Sequence, residues 1–295
     1  MAAPLAPPAS PFPWPPPPPS LSDDGGVARN VAGPMSLLLG LGVAVLLSVV
    51  FRRSFGDVAC AWRVSYSPYA RVFVIWPVIF AWTLVSIAYQ LSTGLGWDKA
   101  YAAQPWNNML NGLAFFGSGM WLVVFSCSRH ADARSGLVVS ASFLLAVTWC
   151  AVGAAVQEAP WRRLDPYQIV GVGVPFALFA GWTCVASALG VGVAVNAIWS
   201  RPDYRCFDSK ELDVYDMMTE ADEVDQSAPG SWVPLALSFF VGGGALLVPD
   251  PVLPIPLAIA VYHMKGHMKN RLALYISVSC VCVAGALAFL EKWLF

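Results

Sequence analysis

Few side chains of this 295-residue chain are placed for acid–base or metal chemistry. His263-Met264-Lys265-Gly266-His267-Met268-Lys269 sets two imidazoles four residues apart with thioether sulfurs beside them, a donor set that suits soft copper. Gly266 weakens a helix there and the lysines repel a cation, so a basic loop attracted to anionic lipid is the expected role. Glu158 and His130 are the one loosely placed acid–base pair, and they are expected on opposite faces. Gln104, Asn107, Asn108 and Asn111 read as helix-start and interface groups, with a selectivity site as the alternative. No catalytic residue, metal ligand or resident cofactor is therefore assigned. Aromatic side chains are the other abundant resource: 13 Trp, 16 Phe and 9 Tyr.

These groups must be held by apolar elements. Of all residues 57% are hydrophobic and 12% charged, with a mean hydropathy of +0.61. An ordinary soluble domain carries about 25% charged residues. The apolar residues fall into eight segments, 35–51, 72–92, 107–127, 136–155, 169–195, 232–248, 251–264 and 272–290. Most are long enough to cross a hydrocarbon core of about 30 Å as a helix. An all-α polytopic membrane protein follows, with the lipid bilayer as its solvent. The seventh segment carries Pro254 and Pro256 and could instead be re-entrant.

With eight spans, Arg52, Arg53, Arg63, Arg71, Arg129, Arg134, Arg201, Arg205, Lys210, Lys265, Lys269 and Arg271 gather on one face, while Arg29, Lys99, Arg162, Arg163 and Lys292 stay on the other. The positive-inside rule then puts both termini on the non-cytosolic side. The chain divides into a disordered Pro-rich tail (1–34), a helical core (35–199), an acidic cytosolic loop (200–231) and a C-terminal three-helix extension (232–295). The acidic loop lacks the glycine that an EF-hand turn requires and reads as a solvated linker. A net charge of −1 gives no footing for nucleic acid. Five cysteines (Cys127, Cys150, Cys184, Cys280, Cys282) lie within apolar blocks, and no C-x-x-C pair exists, so buried thiols are expected rather than disulfides.

The segment centres hold no Asp, Glu, Lys, Arg or His. That counts against proton pumps, ion-coupled carriers and intramembrane hydrolases, which use such groups at depth. Trp62, Trp97, Trp106, Trp161, Trp199, Trp232 and Trp293 fall at segment ends, where an indole can sit at the lipid boundary. Trp76, Trp82, Trp121 and Trp182 lie inside segments and need another reason. Glycines are frequent in segments three, five and six and permit close helix approach.

The second segment reads Phe73-Val-Ile-Trp76-Pro-Val-Ile-Phe80, then Trp82, and closes on Tyr89-Gln90-Leu91. The third supplies Trp121-Leu-Val-Val-Phe125, and the fifth Pro175-Phe176-Ala-Leu-Phe-Ala-Gly181-Trp182. In this order these resemble the motifs of the TspO/translocator-protein (peripheral benzodiazepine receptor) family, in its long-form tryptophan-rich sensory protein branch. Departures are Phe80 in place of the family's Tyr, and Ser118 and Gly190 in place of Asn. The resemblance implies a translocator-like five-helix bundle plus about three additional C-terminal helices. It also implies a non-enzymatic receptor, sensor or transporter for a porphyrin (tetrapyrrole) or a sterol. Flat rings gain about 0.5–1.5 kcal/mol per aromatic contact beyond burial. Phe73, Trp76, Phe80, Trp121, Phe125, Phe176 and Trp182 are the residues expected to line the pocket, with a homodimer or a larger membrane-protein complex as the assembly. The alternative is a structural or assembly subunit whose aromatics are bundle core, with no small-molecule ligand.

Overall fold

The computed structural model describes residues 26–62, 73–94, 105–128, 133–158, 168–199, 250–262 and 268–294, with single positions at 236 and 241. Among these residues every regular element is helical. The long apolar runs dictate this, because a backbone in lipid must satisfy its polar groups within its own segment or in a closed barrel. The helices are α1 (Gly26–Val50), α2 (Arg52–Ala61), α3 (Ile75–Gly94), α4 (Pro105–Cys127), α5 (Ala133–Glu158), α6 (Val174–Trp199), α7 (Ile255–Tyr262) and α8 (Met268–Leu294). A π-helical turn, Ile169–Gly173, leads into α6. Five stretches are long and apolar enough to cross a membrane: Val31–Val50, Ile75–Ser92, Pro105–Cys127, Arg134–Glu158 and Ile169–Trp199. The chain is thus a multi-pass membrane bundle with further C-terminal helices.

Helix α1 starts at Gly26, well inside the stretch expected as tail, and carries Pro34 within it. Packing explains the early start. Gly33 lies against Asn108 and Pro105 of α4, and Ser36 Oγ donates to the Gly33 carbonyl at 2.7 Å. Further along, Gly40 meets the backbone carbonyl of Gly112 so closely that a Cβ has no room, and Gly119 lies against Ala44. These glycines let α1 and α4 run parallel in near backbone contact.

Helices α5 and α6 are clasped by hydroxyls. Thr148 Oγ1 donates to the Thr183 carbonyl at 2.9 Å and lies 2.6 Å from Ser187 Oγ, which donates to the Leu144 carbonyl at 3.0 Å. Large buried side chains from α1, α3, α4, α5 and α6, among them Leu37, Ile79, Phe115, Leu144, Phe176 and Trp182, form one core. The outer surface is also apolar, with Val49, Val85, Val139 and Trp149 exposed, as suits helices whose outside faces lipid.

The seventh expected segment folds as a turn at Asp250–Pro254 followed by α7, an eight-residue helix. At 1.5 Å per residue α7 is about 12 Å long, short of a crossing. Asp250 holds the turn, its Oδ1 accepting the Val252 and Leu253 N–H groups at 2.8 and 3.2 Å. The turn leans on α6 where Gly181 meets the Leu253 carbonyl and Pro256. Apart from positions 236 and 241, the sixth expected segment lies outside the described residues, as do the acidic loop, residues 263–267 of the His-Met-Lys repeat and the Pro-rich residues 1–25.

Candidate functional site

The interior-facing aromatics gather toward one end of the bundle. This is the end where α1 passes into α2, α3 begins and α4 finishes. Helix α2 follows α1 after a single turn residue, Phe51, and continues its hydrogen bonding through Phe51 N–H to Leu47 and Phe55 N–H to Phe51. Arg52 and Arg53 remain exposed while Val58, Ala61 and Trp62 are buried. This amphipathic pattern turns Phe55 inward.

From Phe55 a chain of ring contacts runs through the bundle. Phe55 meets Phe73 at 6.0 Å, Trp121 at 5.7 Å and Phe125 at 5.2 Å between centroids. Phe73 stands edge-on to Trp182 at 5.9 Å, and Trp182 is edge-on to Trp76 at 6.0 Å. Trp76 then contacts Phe80 and Phe179, and Phe80 contacts Phe115. The chain ends in Phe115 and Phe179, stacked at 3.8 Å with planes 6° apart. The edge-on and tilted contacts, at 5.2–6.3 Å, lie where ring quadrupoles attract, whereas the near-parallel Phe115–Phe179 pair is closer than that and is held by packing.

Six of the seven residues expected at the pocket therefore touch one another through rings: Phe73, Trp76, Phe80, Trp121, Phe125 and Trp182. Phe176 is buried in the same core without a ring partner among the described contacts. Phe55, Phe115 and Phe179 were missed. Phe179 had a usable signal, since it lies three residues from both Phe176 and Trp182, while Phe115 had none, lying six and ten residues before Trp121 and Phe125. Phe55 had none, because its helix sits in a stretch that reads as a basic loop.

Two atoms set this cluster apart from an ordinary aromatic core. Trp121 Nε1 and Trp182 Nε1 are buried and have no hydrogen-bond partner. Trp182 is 1% exposed and Trp121 7%. An indole N–H kept dry and unpaired costs about 1–3 kcal/mol, which an acceptor beside it would recover. Ser118, which stands where the family motif has Asn, donates its hydroxyl to the Ala114 carbonyl at 2.9 Å, and neither indole N–H bonds to it.

The other tryptophans divide, and Trp62 Nε1 at the end of α2 is likewise buried without a hydrogen-bond partner. Trp106 and Trp199 are exposed at helix ends, as boundary indoles should be, but Trp62 is buried at 3% exposure. Its amphipathic helix carries it into the core instead of along the lipid boundary. Trp82 Nε1 donates to the Val170 carbonyl at 2.9 Å. That carbonyl is available because Val174 N–H bonds back to Ile169, five residues earlier, across the π turn.

The far end of the interior is polar. Asn107 Nδ2 donates to Glu158 Oε1 at 2.7 Å, and Asn108 Nδ2 to Gln90 Oε1 at 2.6 Å. Gln90 Nε2 lies 3.1 Å from Ser86 Oγ as donor. Asn107, Asn108, Asn111, Gln90, Ser86 and Glu158 are all at most 2% exposed. Read from the sequence as helix-start groups at an interface, the three asparagines instead point into the bundle. The Phe115–Phe179 stack lies between this polar end and the aromatic one, since Phe115 follows Asn111 by one turn of α4. Among the described residues no group of three or more His, Cys, Asp or Glu could hold a metal ion.

A family model described as TSPO-like protein matches residues 32–203, more than half of the chain. No curated protein matches, and no solved structure does.

Proposed function

The chain belongs to the TSPO-like protein family, whose members are membrane proteins of ligand binding or transport, and from that footing we propose that it is a non-enzymatic receptor, sensor or transporter for a flat hydrophobic ligand. The ligand is tetrapyrrole-like or sterol-like and enters among the rings of α2, α3, α4 and α6. The observation that carries this reading is the pair of unpartnered indole N–H groups of Trp121 and Trp182 within a continuous aromatic cluster. Rings supply stacking, and the two donors supply orientation to any ligand bearing a carboxylate, carbonyl or hydroxyl. Phe73, Trp76 and Phe80 are only half-buried, so the α3 side of the cluster is the side from which a ligand reaches it.

A second reading draws on one observation of its own. The Phe115–Phe179 stack fills the bundle centre without a ligand, as expected of an assembly subunit whose aromatics serve packing alone. Titration of the purified chain with protoporphyrin, as monomer or homodimer in mild detergent, separates the two. Binding is followed by porphyrin absorbance and tryptophan quenching. Saturable binding that a Trp121→Leu, Trp182→Leu double variant weakens by roughly tenfold or more per indole, with helicity retained, supports the pocket. Non-saturable or unchanged binding removes the tetrapyrrole version. If cholesterol also fails to compete or to bind, the packing role stands instead.

A further inference from the structure

The seams between the helices are not fastened alike. Helices α1 and α4 meet backbone to backbone at Gly40 and Gly112, and hydroxyls clasp α5 to α6. Across the seam between α3 and α6, Trp82 Nε1 donates to the Val170 carbonyl at 2.9 Å on the outer, lipid-facing side, where Val170 is 52% exposed. Nearer the aromatic end of that seam Trp76 meets Phe179 and Trp182. The Trp82 bond is thus the outer fastening of a seam whose inner wall is the aromatic cluster.

Its acceptor has a second donor within reach. Val174 N–H bonds to Ile169, five residues back. In that π register the Val170 carbonyl looks to position 175, which is Pro and has no N–H, so it is left for Trp82. In an α register Val174 N–H bonds four residues back, to Val170 itself. The stranded carbonyl is then that of Gly171, which the Pro175 ring crowds. The two registers differ in which carbonyl Pro175 leaves over, and only the observed one has an indole to take it. The turn is also glycine where α3 presses on it, for a Cβ at Gly171 would come within 2.9 Å of the Tyr89 ring.

We propose that the Val170 carbonyl is a two-state switch and that the α3–α6 seam is a lateral gate, through which the flat ligand passes between the bilayer and the aromatic cluster. In the closed state Trp82 and the π turn hold the seam. In the open state Val174 takes Val170, Trp82 is released, and α3 parts from α6 on the lipid side. Opening leaves the Gly171 carbonyl and the Trp82 N–H unpaired, which keeps the open state the minor one. The gate rests on the reading of the cluster as a ligand site, while the switch does not. Since the seam is closed with the ligand bound or absent, Trp82 governs the rates of entry and exit and leaves affinity unchanged.

The test uses the full-length chain in phospholipid nanodiscs. Protoporphyrin is delivered already dissolved in the bilayer, and stopped-flow tryptophan quenching follows its association and its dissociation. Trp82→Phe keeps the ring and removes the donor. It is expected to raise both rates by the same factor, roughly two- to tenfold, with Kd unchanged. Unchanged rates, or a change in Kd instead, overturn the gate. A second measurement needs no ligand. Relaxation dispersion of the wild type is expected to show the Trp82 indole N–H and the Val174 amide exchanging with one rate constant, and Trp82→Phe to make the minor Val174 shift the major one. Independent exchange of the two groups, or none, overturns the switch. If protoporphyrin fails to bind saturably, the ligand reading falls alone, and the ligand-free exchange still decides the switch. Should Trp82→Phe not fold, the wild-type exchange decides in the same way.

Discussion

Trp82 and Trp149 frame what a single indole does in this protein. Trp82 closes the carbonyl of Val170 that the π turn releases, so Trp82→Phe strands a backbone acceptor. The expected cost is about 1–3 kcal/mol, visible as a lowered Tm. Trp149 is 83% exposed on the lipid side, and Trp149→Phe is expected to change stability by no more than about 0.5 kcal/mol. A ranking in which both substitutions cost the same would show that the Val170 bond contributes nothing. At this scale the sequence was partly legible. Motif spacing found the inward-facing Trp76, Trp121 and Trp182, because an indole in mid-segment must either pack or face lipid. It misplaced Trp62 and passed over Phe55, because the direction a side chain takes in a short amphipathic helix depends on what that helix lies against.

Among the elements, α1 and α4 are the most closely fitted pair, and glycine is the reason. A methyl at Gly40 collides with the backbone carbonyl of Gly112, which cannot swing aside as a side chain can. Gly40→Ala is expected to destabilise by about 1–3 kcal/mol through forced separation of the helices. Gly42, two residues on and so on the opposite face of α1, has open space around it, and Gly42→Ala is expected to be neutral or stabilising by up to about 1 kcal/mol through helix propensity. Denaturation in detergent of the two variants side by side checks this, and equal effects would refute the backbone-contact account. Gly181 is the corresponding seat for the Asp250–Pro254 turn on α6. Gly181→Ala is expected to speed amide exchange in residues 250–262 while α4 and α5 keep wild-type protection. Glycine-rich segments announced close packing, but sequence alone did not say which glycines meet a backbone and which meet lipid.

For the whole molecule, the five-helix core was legible because twenty-residue apolar runs leave the backbone little choice. Helix ends were less so. Pro34 looks like a boundary, yet α1 runs through it, since contact with Asn108 and Pro105 holds the preceding turn in place. The seventh segment was ambiguous for a physical reason, as Pro254 and Pro256 allow either a short span or a turn, and α7 is short. Orientation remains a matter of charge. Arg52, Arg53 and Arg134 stand exposed at the aromatic end, and from the positive-inside rule we propose that this end faces the cytosol. Cys127, exposed at the close of α4, is then expected to react with a membrane-impermeant maleimide only from the cytosolic side, in a chain whose other six cysteines are replaced by serine. Labelling from the opposite side alone would invert the bundle.

The claim at the centre of this account is that the dry indole N–H groups of Trp121 and Trp182 await an acceptor carried by a flat ligand. The most direct test is an indole 15N–1H spectrum of the protein in detergent, recorded before and after protoporphyrin is added to saturation. The account predicts that the Nε1–H signals of Trp121 and Trp182 shift strongly, with the Trp82 signal, already bonded to Val170, nearly unmoved. Shifts confined to the exposed Trp149 and Trp199, or no shifts at all, would contradict it and return the aromatic cluster to the role of bundle core.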